Sequence, residues 1–168
     1  MLSEKVEKSL NEQIKEEFDS SQLYLAMASW AEVKGLNGAA KFLYAHSDEE
    51  REHGLKLFHY VNDRGGHAIT PELAMPDIKY DDLHTIFKAI YDHEKYISQK
   101  INNLVGICLK ENDFTTQNFL QWYVQEQIEE ESLFGELLDK LELLGEHPGK
   151  MYMFDNELDK AAANHGVE

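Results

Sequence analysis

Glycine and proline are confined to a few short places in this sequence, and the stretches between them are long. The chain has 168 residues but only ten glycines and three prolines. Because both residue types interrupt helices, this clustering predicts long helices joined by well-defined connections. Helix-capping residues and apolar periodicity predict four long helices over about residues 3–34, 38–64, 82–110 and 113–144, and a short fifth helix over about 151–163.

The lengths of the connections constrain how these helices are arranged. Only a few residues separate the first helix from the second and the third from the fourth, so each pair should pack as antiparallel neighbours. The connection over residues 65–81 can stretch roughly 55 Å, which exceeds the roughly 40 Å length of the second helix. We therefore predict one all-α domain over residues 1–168. Its four-helix bundle spans about 3–144, with one long crossover between helices 2 and 3.

Charge and cysteine content exclude several classes of protein. The sequence has 32 acidic residues against 16 lysines and arginines, a net charge of −16 that opposes nucleic-acid binding and favours cations as partners. Cys108 is the only cysteine, which excludes disulfide frameworks and cysteine-rich metal sites and favours the reducing cytoplasm. The N-terminus lacks the apolar run of a signal peptide, and no stretch is long and apolar enough to span a membrane. We expect a soluble, unprocessed protein without a membrane partner.

A carboxylate interrupts the apolar stripe of each long helix near its middle. These residues are Glu17, Glu50, Glu94 and Glu130. Four carboxylates that converge in a bundle core repel one another and cost several kcal/mol each to bury, so a cation should lie between them. Glu50 and His53 form a Glu-x-x-His pair on one helical face, and this mixture of oxygen and imidazole ligands suits two iron ions. Glu50 could bridge the two metals.

For each of these residues taken alone, an ordinary structural role competes with metal binding. A single glutamate on an apolar stripe usually reaches solvent, and a lone core histidine usually packs against its neighbours. Four glutamates at one level, with His53 beside them, favour a metal site instead. His46 is expected to be a packing or surface residue, and Tyr24 could be a core tyrosine with a satisfied hydroxyl group.

Several local strings carry a resemblance to a known family. The strings are Ser47-Asp48-Glu49-Glu50-Arg51-Glu52-His53, Tyr91-Asp92-His93-Glu94, Phe119-Leu120-Gln121-Trp122-Tyr123 and Glu126-Gln127-Ile128-Glu129-Glu130. Together they resemble the non-haem ferritins of bacteria and archaea over roughly residues 1 to 160. The resemblance implies a ferritin-like four-helix bundle with a long crossover and a short C-terminal helix.

The resemblance also implies roles for individual residues. It assigns Glu17, Glu50 and His53 to a first iron site, and Glu50, Glu94 and Glu130 to a second, with Gln127 adjoining. It assigns a weaker third site to Glu49, Glu126 and Glu129, with Glu130 shared, and it places Tyr24 beside the centre. No haem is expected, because Gln127-x-x-Glu130 stands where bacterioferritins have a second Glu-x-x-His, and Arg51 rather than methionine follows Glu50.

The activity that the resemblance implies is iron storage with ferroxidase activity. Each subunit would bind two Fe(II), oxidise them with dioxygen and deposit ferric oxyhydroxide mineral inside a hollow shell of twenty-four subunits. Two alternatives belong to other classes. A rubrerythrin-type oxidase or peroxidase would use the same bundle, but its usual rubredoxin module needs four cysteines. A non-enzymatic helical assembly protein would bury its acidic residues without a metal.

Overall fold

The computed structural model describes residues 2–145, 147 and 149–165, with side chains as far as residue 162. These residues contain five helices and no strand: α1 (Glu4–Val33), α2 (Asn37–Asp63), α3 (Leu83–Lys110), α4 (Phe114–Leu144) and α5 (Lys150–His165). The predicted helices are confirmed, with bounds that differ by one or two residues. The predicted domain limits at residues 1 and 168 lie outside the described residues. Within the described part, no helix combines the length and apolar character needed to cross a membrane.

Capping side chains at the helix starts explain why the observed helix bounds agree with those predicted from the sequence. Ser3 accepts a hydrogen bond from the Val6 backbone N–H at 3.3 Å. Asp82 and Asp113 cap α3 and α4 in the same way, accepting from the N–H groups of Thr85 at 2.7 Å and Thr116 at 3.0 Å. Each cap satisfies a donor that has no partner within its helix, which fixes where the helix begins.

Two separate apolar clusters fill the bundle, one at each end. One cluster joins the C-terminal parts of α1 and α4 to the N-terminal parts of α2 and α3, and includes Phe42, Phe87 and Phe134. The other joins the opposite ends of the same four helices and includes Leu10 and Ile101. Helices α2 and α3 therefore run parallel, as the predicted crossover requires. The space between the two clusters is the level at which the carboxylates lie.

The crossover runs along α1 from one end of the bundle to the other. The backbone N–H of Ile69 donates to Asn11 Oδ1 at 2.7 Å, and Asn11 Nδ2 donates to the His67 carbonyl at 3.1 Å. Further along, the N–H of Ala74 donates to Asp19 at 3.3 Å. These polar side chains of α1 replace the backbone partners that a non-helical segment lacks.

Helix α5 packs against the start of α2, and Gly38 makes this contact possible. A Cβ atom at position 38 would lie 1.9 Å from the Asp155 carbonyl oxygen. The contact is reinforced by Asp155, which accepts from the Ala39 N–H at 2.8 Å, and by Lys41, which donates to Asp159 at 2.6 Å. Phe154 and Leu158 complete the apolar cluster at this end.

Gly38→Ala is expected to displace α5 from α2, because the clash involves backbone atoms that a rotamer change cannot move. Overpacking of this kind costs about 1–3 kcal/mol. Amide hydrogen exchange should become faster in α5 while exchange in α3 stays unchanged. Gly106→Ala is the matched control, since a Cβ atom there meets nothing within 4 Å. Unchanged exchange in α5 of the Gly38 variant would show that this close contact does not hold the helix.

Candidate metal centre

The residues between the two apolar clusters form a buried polar layer contributed by all four long helices. We call this set the carboxylate layer; its members are Glu17 on α1, Glu50 and His53 on α2, Glu94 on α3, and Gln127 and Glu130 on α4. None of these residues is more than 6% exposed. Apolar periodicity places each of them in phase with the core, so folding itself brings them together.

The residues predicted for the first iron site lie together in the structure. One potential ligand atom from each of Glu17, Glu50 and His53 lies within 4.8 Å of the others. His53 Nδ1 is 3.6 Å from Glu50 Oε2. Gln13 Nε2 donates to Glu17 Oε1 at 2.8 Å, which orients that carboxylate.

The residues predicted for the second site face one another less closely. The Tyr24 hydroxyl donates to Glu94 Oε1, and Gln127 Nε2 donates to Glu94 Oε2 at 3.1 Å. Both oxygens of Glu94 are thus hydrogen-bonded. Glu130 Oε2, in contrast, is buried and has no hydrogen-bond partner. Among the described residues, Glu50, Glu94 and Glu130 do not form a three-ligand group within 4.8 Å, so this shared site stays a prediction.

Burial shifts the protonation of the whole layer. Burial raises the pKa of Glu17 and of Glu94. The pKa of Glu50 is raised well above its ordinary value, first by burial and then by repulsion from Glu94, Glu17 and Glu130. The pKa of Glu130 rises to about 9 through burial and repulsion from nearby carboxylates. Without a cation, burial favours the protonated form of each of these groups more than water does.

His53 is buried as a neutral imidazole ring between aromatic residues of α4. Burial lowers the pKa of its imidazole, which leaves a ring nitrogen able to bind a cation. Tyr123 donates to the His53 carbonyl at 2.8 Å, and the Trp122 ring packs edge-on against the imidazole with centroids 5.1 Å apart. These two aromatic residues hold α4 against this part of α2.

The residues predicted for a third site are only partly brought together. Glu49 and Glu126 are half-buried and form a three-ligand group with His53. Glu129 is exposed and accepts a hydrogen bond from Gln125 at 2.9 Å. It does not join a metal-binding group among the described side chains. Its predicted role as a ligand stays a prediction.

His46 is a candidate ligand that sequence reasoning did not select. It packs in the core as expected, with its ring centroid 4.2 Å from that of Phe42, and its Nδ1 pairs with the Phe42 carbonyl at 2.9 Å. It also forms a three-ligand group with Glu49 and Glu130. The spacing His46-x-x-Glu49 could have indicated a ligand pair in the sequence. It is the reverse of Glu50-x-x-His53, which follows one turn later on the same helix.

The donor atoms of the carboxylate layer fit iron as a substrate. Buried carboxylate oxygens are hard ligands and imidazole is a borderline one. This mixture suits iron better than the soft thiolate ligands that select copper or zinc would. The unpartnered, buried oxygen of Glu130 is the feature that a cation would satisfy.

Fold and layer together define a four-helix bundle of the ferritin-like class with a buried carboxylate layer. The ferritin-like domain family matches residues 7–144 of the chain. A non-haem ferritin-like protein of Haemophilus influenzae is 47% identical over 158 residues, covering 94% of this chain and 96% of its own. A bacterial non-haem ferritin of Campylobacter jejuni is 43% identical over 162 residues, covering 96% and 97%. The chain therefore belongs to the bacterial non-haem ferritin family.

Solved structures agree with this relationship. An open-pore ferritin from the archaeon Archaeoglobus fulgidus superposes with a TM-score of 0.92 at 38% identity, covering 94% of this chain and 96% of its own. Membership of the family and the shared fold support iron storage and iron oxidation.

Proposed function

We propose that this protein stores iron and oxidises two Fe(II) per subunit at the carboxylate layer, with dioxygen as the oxidant. The observation that carries the proposal is that four buried glutamates from four helices meet in one layer, where Glu17, Glu94 and Glu130 all act on Glu50, with one buried oxygen of Glu130 unpartnered. Burying these groups is costly. Two divalent cations would neutralise four carboxylates, which removes both the repulsion and the need for extra protons.

Different residues of the layer serve different parts of the proposed reaction. Glu17, Glu50 and His53 would hold one Fe(II), since their ligand atoms already lie within 4.8 Å of one another. Glu50 would also face a second Fe(II), held by Glu94 and Glu130. Tyr24 and Gln127 orient Glu94 through their hydrogen bonds, so that its carboxylate is fixed before iron arrives.

The electrons and protons of the reaction balance with iron as the only reductant. Each Fe(II) gives up one electron, and dioxygen takes two electrons and two protons to become hydrogen peroxide. Water then loses protons as it binds Fe(III), giving ferric oxyhydroxide. Carboxylates suit this sequence because they bind hard cations and can change between bridging and terminal binding.

Storage requires an enclosed space for the ferric mineral, and we propose a hollow shell of twenty-four subunits. The net charge of −16 supports this, since acidic surfaces draw Fe(II) towards the protein and favour the first ferric deposits. A cytoplasmic location stays a prediction from the cysteine content.

Anaerobic Fe(II) titration followed by oxygen uptake tests the proposal. We expect two tightly bound Fe(II) per subunit, and one dioxygen consumed for every two Fe(II) when air is admitted. Light scattering on the same sample should show a large assembly. A small oligomer would favour the rubrerythrin-type alternative, and binding without oxygen uptake would leave only a non-enzymatic scaffold.

A further inference from the structure

A surface cleft leads to the carboxylate layer between α2 and α4. Its volume is about 620 Å³, and Glu49, Glu52, His53, Lys56 and Trp122 are among the residues that line it. The half-buried Glu49 and buried His53 lie in its wall. The cleft thus connects solvent with residues that belong to the centre.

Three overlapping ligand groups link the cleft to the interior. The outer group consists of Glu49, His53 and Glu126. It shares His53 with the group that contains Glu17 and Glu50, and it shares Glu49 with the group that contains His46 and Glu130. A cation that passes between the layer and the cleft can therefore exchange one ligand at a time through the outer group.

Lys56 places an ammonium group beside this outer group. Its Nζ lies 3.0 Å from the centroid of the Trp122 ring, an arrangement that holds an ammonium group by cation–π attraction. Among the described residues that line the cleft, Lys56 is the only lysine or arginine. Burial lowers the pKa of His53 and the charge of Lys56 adds to that effect, while burial, Glu49 and Glu129 raise the pKa of Glu126 and Lys56 offsets part of the rise. Lys56 therefore acts electrostatically on two of the three outer ligands.

We propose that Lys56, held against Trp122, weakens cation binding at the outer group Glu49, His53 and Glu126, so that this group passes iron on instead of retaining it. The inference rests on the proposed function, in which oxidised iron must leave the layer. Three adjacent acidic and imidazole ligands would otherwise form a tight cation site at the mouth of the cleft. A neighbouring ammonium group opposes a divalent cation there, and opposes a trivalent one more strongly.

Zn(II) binding to the metal-free, full-length protein tests this proposal. Zn(II) is not oxidised, so the result does not depend on ferroxidase activity. We expect Lys56→Gln to tighten the weakest class of Zn(II) sites by about three- to tenfold, the size expected for one charge at a partly exposed position. The tighter sites in the layer should change little. Equilibrium dialysis at low ionic strength measures both classes.

Two further variants separate charge from packing. Lys56→Arg keeps a positive charge that can stack on Trp122, and should therefore bind Zn(II) more like the original protein than Lys56→Gln does. Lys34→Gln is the matched control, because Lys34 lies 5.7 Å from the Trp30 ring centroid at the far end of α1. The effect of Lys56→Gln on Zn(II) affinity should also shrink as the salt concentration is raised from about 0.01 M to 1 M, since the Debye screening length falls from about 30 Å to about 3 Å.

Several results would overturn the proposal. Unchanged or weaker Zn(II) binding by Lys56→Gln, or equal tightening by Lys56→Gln and Lys56→Arg, would show that the charge of Lys56 does not act on the outer group. If the original protein loaded with Fe(II) consumed no dioxygen, that result would instead refute the proposed function. The two failures are therefore distinguishable.

Discussion

Glu50→Ala is expected to slow Fe(II) oxidation by more than about 100-fold, with a similar loss for His53→Ala. Removal of a residue that merely orients a metal ligand typically costs 10–100-fold, and removal of a ligand should cost more. Glu50 is the carboxylate that both predicted iron sites share, and His53 is the only imidazole in the first of them. Stopped-flow absorbance after mixing Fe(II) with the protein in air measures the initial rate.

The assembly should survive both substitutions. Glu50 is a buried carboxyl group whose pKa is raised by burial and by its neighbours, so its removal relieves repulsion in the metal-free protein. Asp63→Ala is the matched control, because Asp63 is an exposed carboxylate near the end of the same helix. Fast oxidation by Glu50→Ala and His53→Ala, in assemblies of normal size, would refute our assignment of the site.

Glu130→Gln is expected to stabilise the metal-free protein by about 3 kcal/mol at pH 7. The folded protein raises the pKa of Glu130 from its ordinary 4.5 to about 9. At pH 7 the unfolded chain has lost this proton while the folded chain keeps it, a difference worth about 1.4 kcal/mol for each of roughly 2.5 pH units. In the original protein, the destabilisation caused by Glu130 is absent below about pH 4.5, grows as the pH rises and levels off above about pH 9.

Denaturant unfolding of the metal-free protein at pH 5 and at pH 8 measures this effect. The variant and the original should differ little at pH 5 and most at pH 8. Glu136→Gln is the control, since Glu136 is an exposed glutamate on the same helix. An equal difference at both pH values would mean that the proton on Glu130 is not responsible.

The same protons should be released when a cation binds. At pH 7 we expect anaerobic Fe(II) binding to displace at least one proton per subunit, because Glu130, whose pKa is about 9 in the metal-free protein, is protonated until a cation binds. Glu130→Gln should release fewer. A pH-stat follows the release directly, and binding without proton release would show that the layer is already ionised.

The sequence predicts much of the fold because its strongest signals are local. Asp82 and Asp113 fix helix starts through hydrogen bonds to residues three positions away. The crossover follows from chain length alone. Glu17 and Glu94 are predicted to be buried because they are in phase with apolar residues of the same helix, and both are at most 2% exposed.

Features that depend on contacts between helices could not be predicted in this way. The spacing of His46 to Glu49 lies within one helix, but the approach of Glu130 to both depends on how α4 packs against α2. Glu129 lies at the edge of the apolar stripe of α4, where a small helix rotation decides exposure. The packing of α5 onto Gly38 depends on backbone atoms more than one hundred residues away in the chain.

Crystals soaked anaerobically in Fe(II) test the central claim most directly. Anomalous diffraction at the iron edge should show two adjacent peaks inside each subunit, about 3.5–4 Å apart as in other two-metal sites. Both peaks should contact Glu50, and His53 should contact one of them. Peaks confined to the protein surface, or carboxylates of the layer that stay unligated at full iron occupancy, would contradict the account.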